Sequence, residues 1–558
     1  MPARQQTYDY VIVGAGSAGA VLANRLTDEP GTSVLLLEAG GRDRHRLMQM
    51  PLGFFPMLQD PSIGWGYRTE PEPHADQREI VLPRGKVLGG SSSINGMLYG
   101  RGHPQDYEEW SRLGGQGWSF AEVLPYFLRA ESNWRGASAF HGGAGPLSVS
   151  EHETYPPIFD ALMQTARNRG HVVAQDLDGS EYLGFGKPDF TIHRGHRAST
   201  AKRYLEPVRR RKNLRVEIHA LAGRVLLEGR RAAGVEYLQN GQMQRARAER
   251  EVILAGGAYN SPQLLMLSGI GRPDELRAAG ITPLHELAGV GRNLQEHASV
   301  GGSFAPRQPI PLIQQMRFDR LALSVLRWKL FGTGVIAHLP LASIAFYKSR
   351  PELARPDIEF MVNSTGMDAR VWFPGIRPAR GNALYSSNIV LHPRSRGWVK
   401  LRSADPTARV RIQLNLLQEE GDRALMRLAL RNMREFFATE PMAGMIERER
   451  LPGKDVQSDS ELDAYMRASI GVAHHACGTC AMGGGSEAVV DAQLRVRGLE
   501  GLRVIDASIM PTVAGGHTNA VAVMIAEKGA DLIRGRRLSP ADAATVAACG
   551  MTGARASG

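Results

Sequence analysis

The chain has 558 residues, 43% of them hydrophobic and 22% charged, which is enough apolar material for a large core and too much for wholesale disorder. Its three cysteines, Cys477, Cys480 and Cys549, exclude a disulfide framework. The formal net charge of +11 suits nucleic acid, an anionic membrane or an anionic ligand, and by itself selects none of them.

The opening run MPARQQTYDYVIVGAG passes from a short polar lead straight into a strand-like apolar stretch, with neither an apolar signal region nor a small-residue cleavage site. A cytoplasmic protein is expected. No stretch reaches the roughly 18 uninterrupted apolar residues of a spanning helix. The nearest approach, residues 321–346, is broken by Arg327, Lys329 and several glycine, proline and serine positions.

From Tyr8 the sequence YDYVIVGAGSAGAVLANRL, followed by TDEPGTSVLLLEAGG, parses as strand, glycine turn, helix and second strand. Gly14 permits the tight bend, Gly16 lets backbone approach a diphosphate, and Gly19 lets helix and strand pack closely. Ser17 and Ala18 lie between them, at the helix start where free N–H groups and the dipole favour negative charge. Glu38, followed by Ala39, ends the second strand and suits a ribose diol. This context marks a dinucleotide site and leaves NAD and FAD both open.

Residues 83–110 read PRGKVLGGSSSINGMLYGRGHPQDYEEW, and Gly89, Gly90 and Ser91 offer little side chain where backbone must lie against a flat ring. This segment, with GGAYNSPQLLMLSGIG at 256–271, resembles the two signature motifs of the glucose–methanol–choline (GMC) oxidoreductases, and both point to FAD. The resemblance continues at VGRNLQEH (290–297), HHACGTCAMGG (474–484) and LRVIDASIMPTVAGGHTNAVAVMIAEKGADLI (502–533).

The resemblance implies an α/β fold in which a Rossmann-like FAD-binding domain interleaves with an α+β substrate domain built on an antiparallel sheet. The first is expected over residues 1–155, 199–300 and 466–537, and the second over 156–198 and 301–465. Residues 368–382 are a candidate lid, and 538–558 are expected to form a flexible tail. In the cofactor site the resemblance assigns Leu88 and Gly90 to the flavin bed and Asn95 to the reactive edge of the flavin. Asp506 and Ala507 fall near the ribityl and pyrophosphate groups, and His517 and Asn519 complete the site. Val225 either meets the adenine through its backbone or is an ordinary core residue of an apolar strand. In members with a histidyl–flavin bond the histidine precedes the asparagine; that position is Ile94 here, so FAD is expected to be non-covalent.

Within HHACGTC the family's HPxGT-like motif maps onto residues 475–479, making His475 the counterpart of the catalytic histidine. The second catalytic position is His517, in a segment where many dehydrogenase-like members read GNTNAP; this chain departs from them at His517 and Val521. Moving a hydride from an alcohol carbon is slow unless the hydroxyl proton leaves as the C–H bond breaks, and an imidazole accepts a proton near neutral pH. His475 is expected as base or alkoxide stabiliser and His517 as its partner, with the roles exchangeable. On an extended segment neighbouring side chains face opposite ways, so only one of His474 and His475 is expected to face the flavin. A metal reading of Cys477 and Cys480 fails for want of a second ligand pair, and no metal is expected.

The expected activity is FAD-dependent oxidation of a primary alcohol to an aldehyde, with electrons passing to dioxygen or a quinone-type acceptor. The flavour is that of bacterial alcohol and choline dehydrogenases and of hydroxymethylfurfural or aryl-alcohol oxidases, and the histidine pair favours aromatic or allylic alcohols. A hydroxynitrile lyase without net redox is the alternative. A photodecarboxylase is excluded, because no cysteine precedes Cys477. No nucleic-acid module accompanies the positive charge, and a homo-oligomer is left open. The segment MRFDRLALSVLRWKL (316–330) spaces Arg317, Arg320, Ser324 and Arg327 against a stripe of Phe318, Leu321, Val325 and Trp328 and reads as a basic amphipathic helix, suited either to peripheral contact with anionic lipid, as on an inner membrane, or to covering the substrate site or a subunit interface.

Overall fold

The computed structural model describes residues 6–58, 60–151 and 153–549. Strand β1 (Gln6–Val13) runs into the glycine turn, helix α1 (Ser17–Leu26) returns along the sheet, and β2 (Val34–Leu37) pairs with β1 in parallel. The runs VIV and VLLL are apolar without alternation because both faces are covered. Strand β3 (Gln242–Leu254) flanks β1 on its other side, Leu214–Glu217 flanks β2, and Leu502–Val504 joins the end of β3, all in parallel. Two antiparallel strands, Arg231–Gln239 and Ala220–Glu228, complete a seven-stranded mixed sheet. The carboxyl ends of its parallel strands open onto Gly14, Glu38, Ala255 and Asp506, the side on which open α/β sheets bind ligands. Helix α2 (Gly257–Leu267) starts just beyond the end of β3.

The second large sheet is antiparallel throughout. Its order is Ile446–Leu451, β4 (Ala298–Pro306), Leu384–Val390, β5 (Ile358–Asn363), Leu341–Tyr347 and Gly184–Gly186. Strand alternation sorts its residues. Ser299 and Gly301, Met361 and Asn363, and Tyr385, Ser387 and Ile389 all face a central cavity. On the opposite side helix Glu420–Phe437 covers the sheet, with Phe436 stacked on Phe185 at 5.1 Å. The expected junction after residue 300 falls inside β4, and Gly471–Val472, expected with the nucleotide-binding part, pairs with β4.

Helix α3 (Phe318–Phe331) is anchored by one face only: Trp328 packs with Ile336 and Ala337, and its indole N–H donates to the Gly195 carbonyl at 2.7 Å. The sequence reading put Phe318 on that same stripe, but Phe318 is exposed. Helix α4 (Thr518–Ile533) packs against α1. The chain end corrects the expectation of a flexible tail as far as Cys549. Leu538 and Ala541 donate backbone N–H groups to the Tyr126 hydroxyl and the Ala121 carbonyl, and Asp542 caps a helix over Ala543–Ala548. The run AATVAA is rich in the best helix former, and the Asp cap offsets its shortness; the rest of the expected tail lies outside the described residues.

Candidate active site

A cavity of about 580 Å³ lies between the two sheets, lined by residues from both. At one end the glycine turn closes with the Gly14 N–H donating to the Leu37 carbonyl at 2.8 Å. A Cβ on Gly19 would sit 1.8 Å from the Gly14 carbonyl oxygen, so only glycine lets α1 start this close to β1. Across the turn, Gly90 has φ +52° and a Cβ there would lie 2.7 Å from Gly16 Cα, so the two backbones approach as closely as side-chain-free residues allow.

Two helix amino termini converge here without side-chain caps. Gly16 precedes α1 and His517 precedes α4, and neither caps its helix. The Ser17 hydroxyl donates to Asn519 Oδ1 at 2.8 Å and ties the two termini together. Uncapped N–H groups and two aligned dipoles make a site for a diphosphate. Glu38 is buried, accepts the Ala15 and Gly40 N–H groups at 3.0 and 2.8 Å, and is pushed up to about 7 by burial. Each of its oxygens keeps a lone pair suited to a ribose hydroxyl. Donors, glycine bed and buried carboxylate fit FAD.

The expected residues divide into those that line the cavity and those behind it. Gly14, Gly16, Ser17, Ala18, Glu38, Ala39, Gly90, Asn95, Asp506, Ala507, His475, His517 and Asn519 line it. Gly19 acts through packing. Leu88 lies in the core, and its carbonyl accepts the Ser93 hydroxyl at 2.8 Å, which holds the turn carrying Gly90. Val225 does not line the cavity: its N–H donates to Ser268 Oγ at 2.8 Å and its side chain is core. Ala220, Leu221 and Ala222, at the start of the same strand, line the cavity in its stead. The Asp506 carboxylate is fully engaged by Gly257, Ser261 and Ser508, so its side chain shapes the turn and only its backbone is offered to a ligand.

Asn95 is held from behind. The Arg197 guanidinium donates to Asn95 Oδ1 and to its backbone carbonyl at 2.7 and 2.6 Å, and the Met97 N–H donates to the same Oδ1 at 3.1 Å. With its oxygen committed, Asn95 presents its amide N–H₂ to the cavity. Arg197 is buried with no carboxylate beside it among the described residues, and burial pulls it down to about 9.

At the other end two chain segments bring histidines together. Gln295 and Cys477 exchange backbone hydrogen bonds at 3.1 Å, and the Ala473 N–H donates to the His297 carbonyl at 3.0 Å. This register sets His297 against His475. Glu296 accepts the backbone N–H groups of both His297 and His475. The rings then form a line: His297 Nδ1 lies 2.9 Å from His475 Nδ1, and His475 Nε2 lies 3.3 Å from His517 Nδ1. Adjacent rings are nearly perpendicular, at 89° and 84°. Beyond them Glu359 Oε1 stands 3.1 Å from His517 Nε2, out of line for a hydrogen bond, and neither Glu359 oxygen has another partner among the described residues.

The proton positions follow from one fixed acceptor. His297 Nε2 lies 2.9 Å from the Leu391 carbonyl, which can only accept, so Nε2 carries the proton. Burial lowers His297 to about 4, so the ring is neutral and its Nδ1 is an acceptor. His475 must therefore donate from Nδ1. Burial, reinforced by His517 and His297, holds His475 well below the usual histidine range, so it too is neutral. Its lone pair is left on Nε2, facing the cavity and His517.

His474 also lines the cavity, although opposite facing of the adjacent histidines is the expectation for an extended segment. Its φ of +66° breaks the extended alternation on which that expectation rested. Its Nδ1 is buried without a hydrogen-bond partner among the described residues, and it takes no part in the line of rings. Burial pushes the thiols of Cys477 and Cys480 upward, and all three cysteines are free, so the CxxC segment is inert packing.

Residues 8–299 match a family model described as GMC oxidoreductase, and residues 393–526 match a second with the same description. The chain belongs to the GMC oxidoreductases. Similar relatives include mitochondrial choline dehydrogenase of Mus musculus, 46% identical over 95% of this chain and 89% of that one, and an oxygen-dependent choline dehydrogenase of Chromohalobacter salexigens, 41% identical over 96% of each. Among solved structures, pyridoxine 4-oxidase from Mesorbium loti superposes with a TM-score of 0.85 at 33% identity, covering 94% of this chain and 98% of that one. As a GMC oxidoreductase the protein is an FAD-dependent alcohol oxidoreductase acting on CH–OH groups. Relatives that are dehydrogenases and oxidases favour this over the lyase alternative.

Sequence reasoning missed the residues behind the cavity. Glu296 and His297 sat in the quoted VGRNLQEH motif, which was the available signal. Arg197 and Glu359 gave none, because each owes its position to long-range packing.

Proposed function

We propose that the enzyme oxidises an uncharged primary alcohol with an apolar or aromatic body to the aldehyde, using His475 as the base. The observation that carries this reading is the lone pair on His475 Nε2, 3.3 Å from His517 Nδ1 and facing the cavity. A substrate hydroxyl between the two rings gives its proton to His475 Nε2, while His517 orients the oxygen. Glu359, 3.1 Å from His517 Nε2, offsets the positive charge that the proton brings to the neighbouring His475. His297 is a positioning residue that keeps the lone pair of His475 on the cavity side. Bound FAD supplies the hydride acceptor. Ile94 offers no nucleophile, which supports a non-covalent cofactor. We take the mixed sheet as the core of the FAD domain and the antiparallel sheet as that of the substrate domain.

The choice of an uncharged substrate rests on the lining. Near the histidines it is made of Met97, Leu339, Leu341, Met361 and Ile389, with Asn363, Ser387 and Tyr385 as polar groups. The only carboxylates that line the cavity among the described residues are Glu38 and Asp506, both at the cofactor end. A quaternary ammonium group would find no counter-charge there. Choline is the second reading, favoured by 46% identity to a choline dehydrogenase.

An anaerobic panel of benzyl alcohol, straight-chain alcohols and choline, followed by loss of flavin absorbance, separates the two. Faster reduction by choline than by any neutral alcohol overturns the first. Peroxide release in air separates dioxygen from a quinone-type acceptor. For the base, His475→Ala should retain FAD and slow flavin reduction by about 10²-fold or more; unchanged reduction kinetics would refute the assignment.

A further inference from the structure

Helix α3 is apolar on two sides. Its inner stripe of Leu321, Val325 and Trp328 meets the protein, yet Leu323, Leu330 and Phe331 are 68%, 65% and 72% exposed. Ile376, on the neighbouring loop, is 86% exposed. Of fifteen exposed large hydrophobic residues among those described, seven belong to α3 and to the loop of residues 367–376. Helix and loop form one surface, because Phe373 stacks on Phe318 at 4.8 Å and the Trp372 indole donates to the Ile313 carbonyl at 2.8 Å. A patch this concentrated marks an interaction site.

The charge around it is one-sided. Arg317, Arg320, Arg327 and Lys329 on the helix, with Arg370, Arg377 and Arg380 on the loop, face only Asp319 and Asp368 within these segments. Among the described residues only Arg317 of these seven has a carboxylate partner, Asp319 at 2.6 Å. Desolvation, together with Arg380 and Arg377, pulls Arg370 below the usual guanidinium range, which marks how closely the loop cations crowd. A second copy of the chain fits poorly, since a two-fold contact would press one cationic patch on another.

We propose that the outward face of α3 and the adjoining loop dock on the surface of an anionic phospholipid bilayer. The leucines and Phe331 enter the headgroup–acyl boundary, and the arginines and Lys329 spread their stems along the apolar face while their heads meet lipid phosphates. No helix among the described residues is long and apolar enough to cross a membrane, so the contact is peripheral. Phe55 and Met367 are both exposed and both line the cavity, so its mouth adjoins the docking face. The docking is independent of which alcohol is oxidised.

The test is cosedimentation of the FAD-loaded enzyme with phosphatidylcholine vesicles, with and without about one-third phosphatidylglycerol, at low and high salt. Binding should require the anionic lipid and weaken with salt. The variant Arg320→Gln/Arg327→Gln/Lys329→Gln should bind about 100-fold more weakly at low salt, from roughly fivefold per basic residue. Leu323→Ser/Leu330→Ser/Phe331→Ser should lose at least about tenfold at either salt. Of these side chains Arg320 is half-buried and the others are exposed, so dye-linked turnover should persist in both variants. Brominated lipid should also quench wild-type tryptophan fluorescence, which needs no variant. Equal binding to pure phosphatidylcholine, absence of binding to anionic vesicles, or wild-type binding by both variants overturns the proposal. So does a wild-type dimer that the leucine variant converts to monomers.

Discussion

Replacing His297 by leucine tests the line of histidines where it is least obvious, because His297 does not line the cavity. The substitution removes the acceptor 2.9 Å from His475 Nδ1. Two outcomes are open to the neutral ring of His475. It can keep its proton on Nδ1 as an unpaired buried donor, at a cost of about 1–3 kcal/mol. Otherwise it moves the proton to Nε2, which takes the lone pair away from the substrate. Either way the barrier to proton removal rises by about that amount, and flavin reduction should slow by about 5- to 150-fold. The assay is anaerobic stopped-flow reduction at saturating alcohol, with KM followed separately. KM should change little and FAD content not at all. His297→Gln, whose amide oxygen can accept from Nδ1, should recover part of the rate. Reduction of the leucine variant at the wild-type rate, or an effect confined to KM, would show that the tautomer of His475 is set by something else.

Glu359→Gln replaces the buried carboxyl 3.1 Å from His517 Nε2 and should slow flavin reduction by about tenfold or more, equivalent to about 1.4 kcal/mol or more of lost charge stabilisation, with FAD retained. Gly90→Val would press a side chain onto Gly16, where a Cβ already lies 2.7 Å from Cα, so the purified protein should show a much reduced flavin-to-protein absorbance ratio. Stability should fall on mild acidification. Burial lowers His103 and His297 to about 4, and His392 and His474 to about 3. Their folded values lie below the unfolded value of about 6.5, so the stability they allow is complete above that pH and is lost as pH falls toward 4. Each costs about 1.4 kcal/mol per pH unit in that range, so Tm by differential scanning should drop steeply between about pH 6.5 and 5; a flat Tm over that range would contradict it.

The cofactor end was legible in the sequence because its requirements are local. Gly14, Gly16, Gly19 and Glu38 lie within one strand–turn–helix–strand unit whose spacing follows from geometry alone. His475 and His517 came from motif correspondence, and their shared cavity required the fold. Where a residue's role depends on a partner far along the chain, the sequence was silent. Glu359 reads as a polar position in the strand IEFMVN and turns out fully buried behind His517. The alternation rule failed at His474 because a single left-handed residue resets the face. The amphipathic reading of α3 found the inner stripe at Leu321, Val325 and Trp328 but not the outward leucines, since a helix carrying apolar residues on both sides has no single polar face to read.

The hydrogen bond between Ser17 and Asn519 joins residues 502 apart in sequence. The glycine turn leaves the ribosome well before the helix terminus that completes its anion site. Leu502–Val504 likewise joins, from far along the chain, a parallel sheet whose β1 starts at Gln6. A nascent chain therefore has no finished diphosphate site to offer FAD until α4 has been made. Truncation before α4 should therefore yield a polypeptide that keeps every glycine of the opening motif and yet retains little FAD on purification.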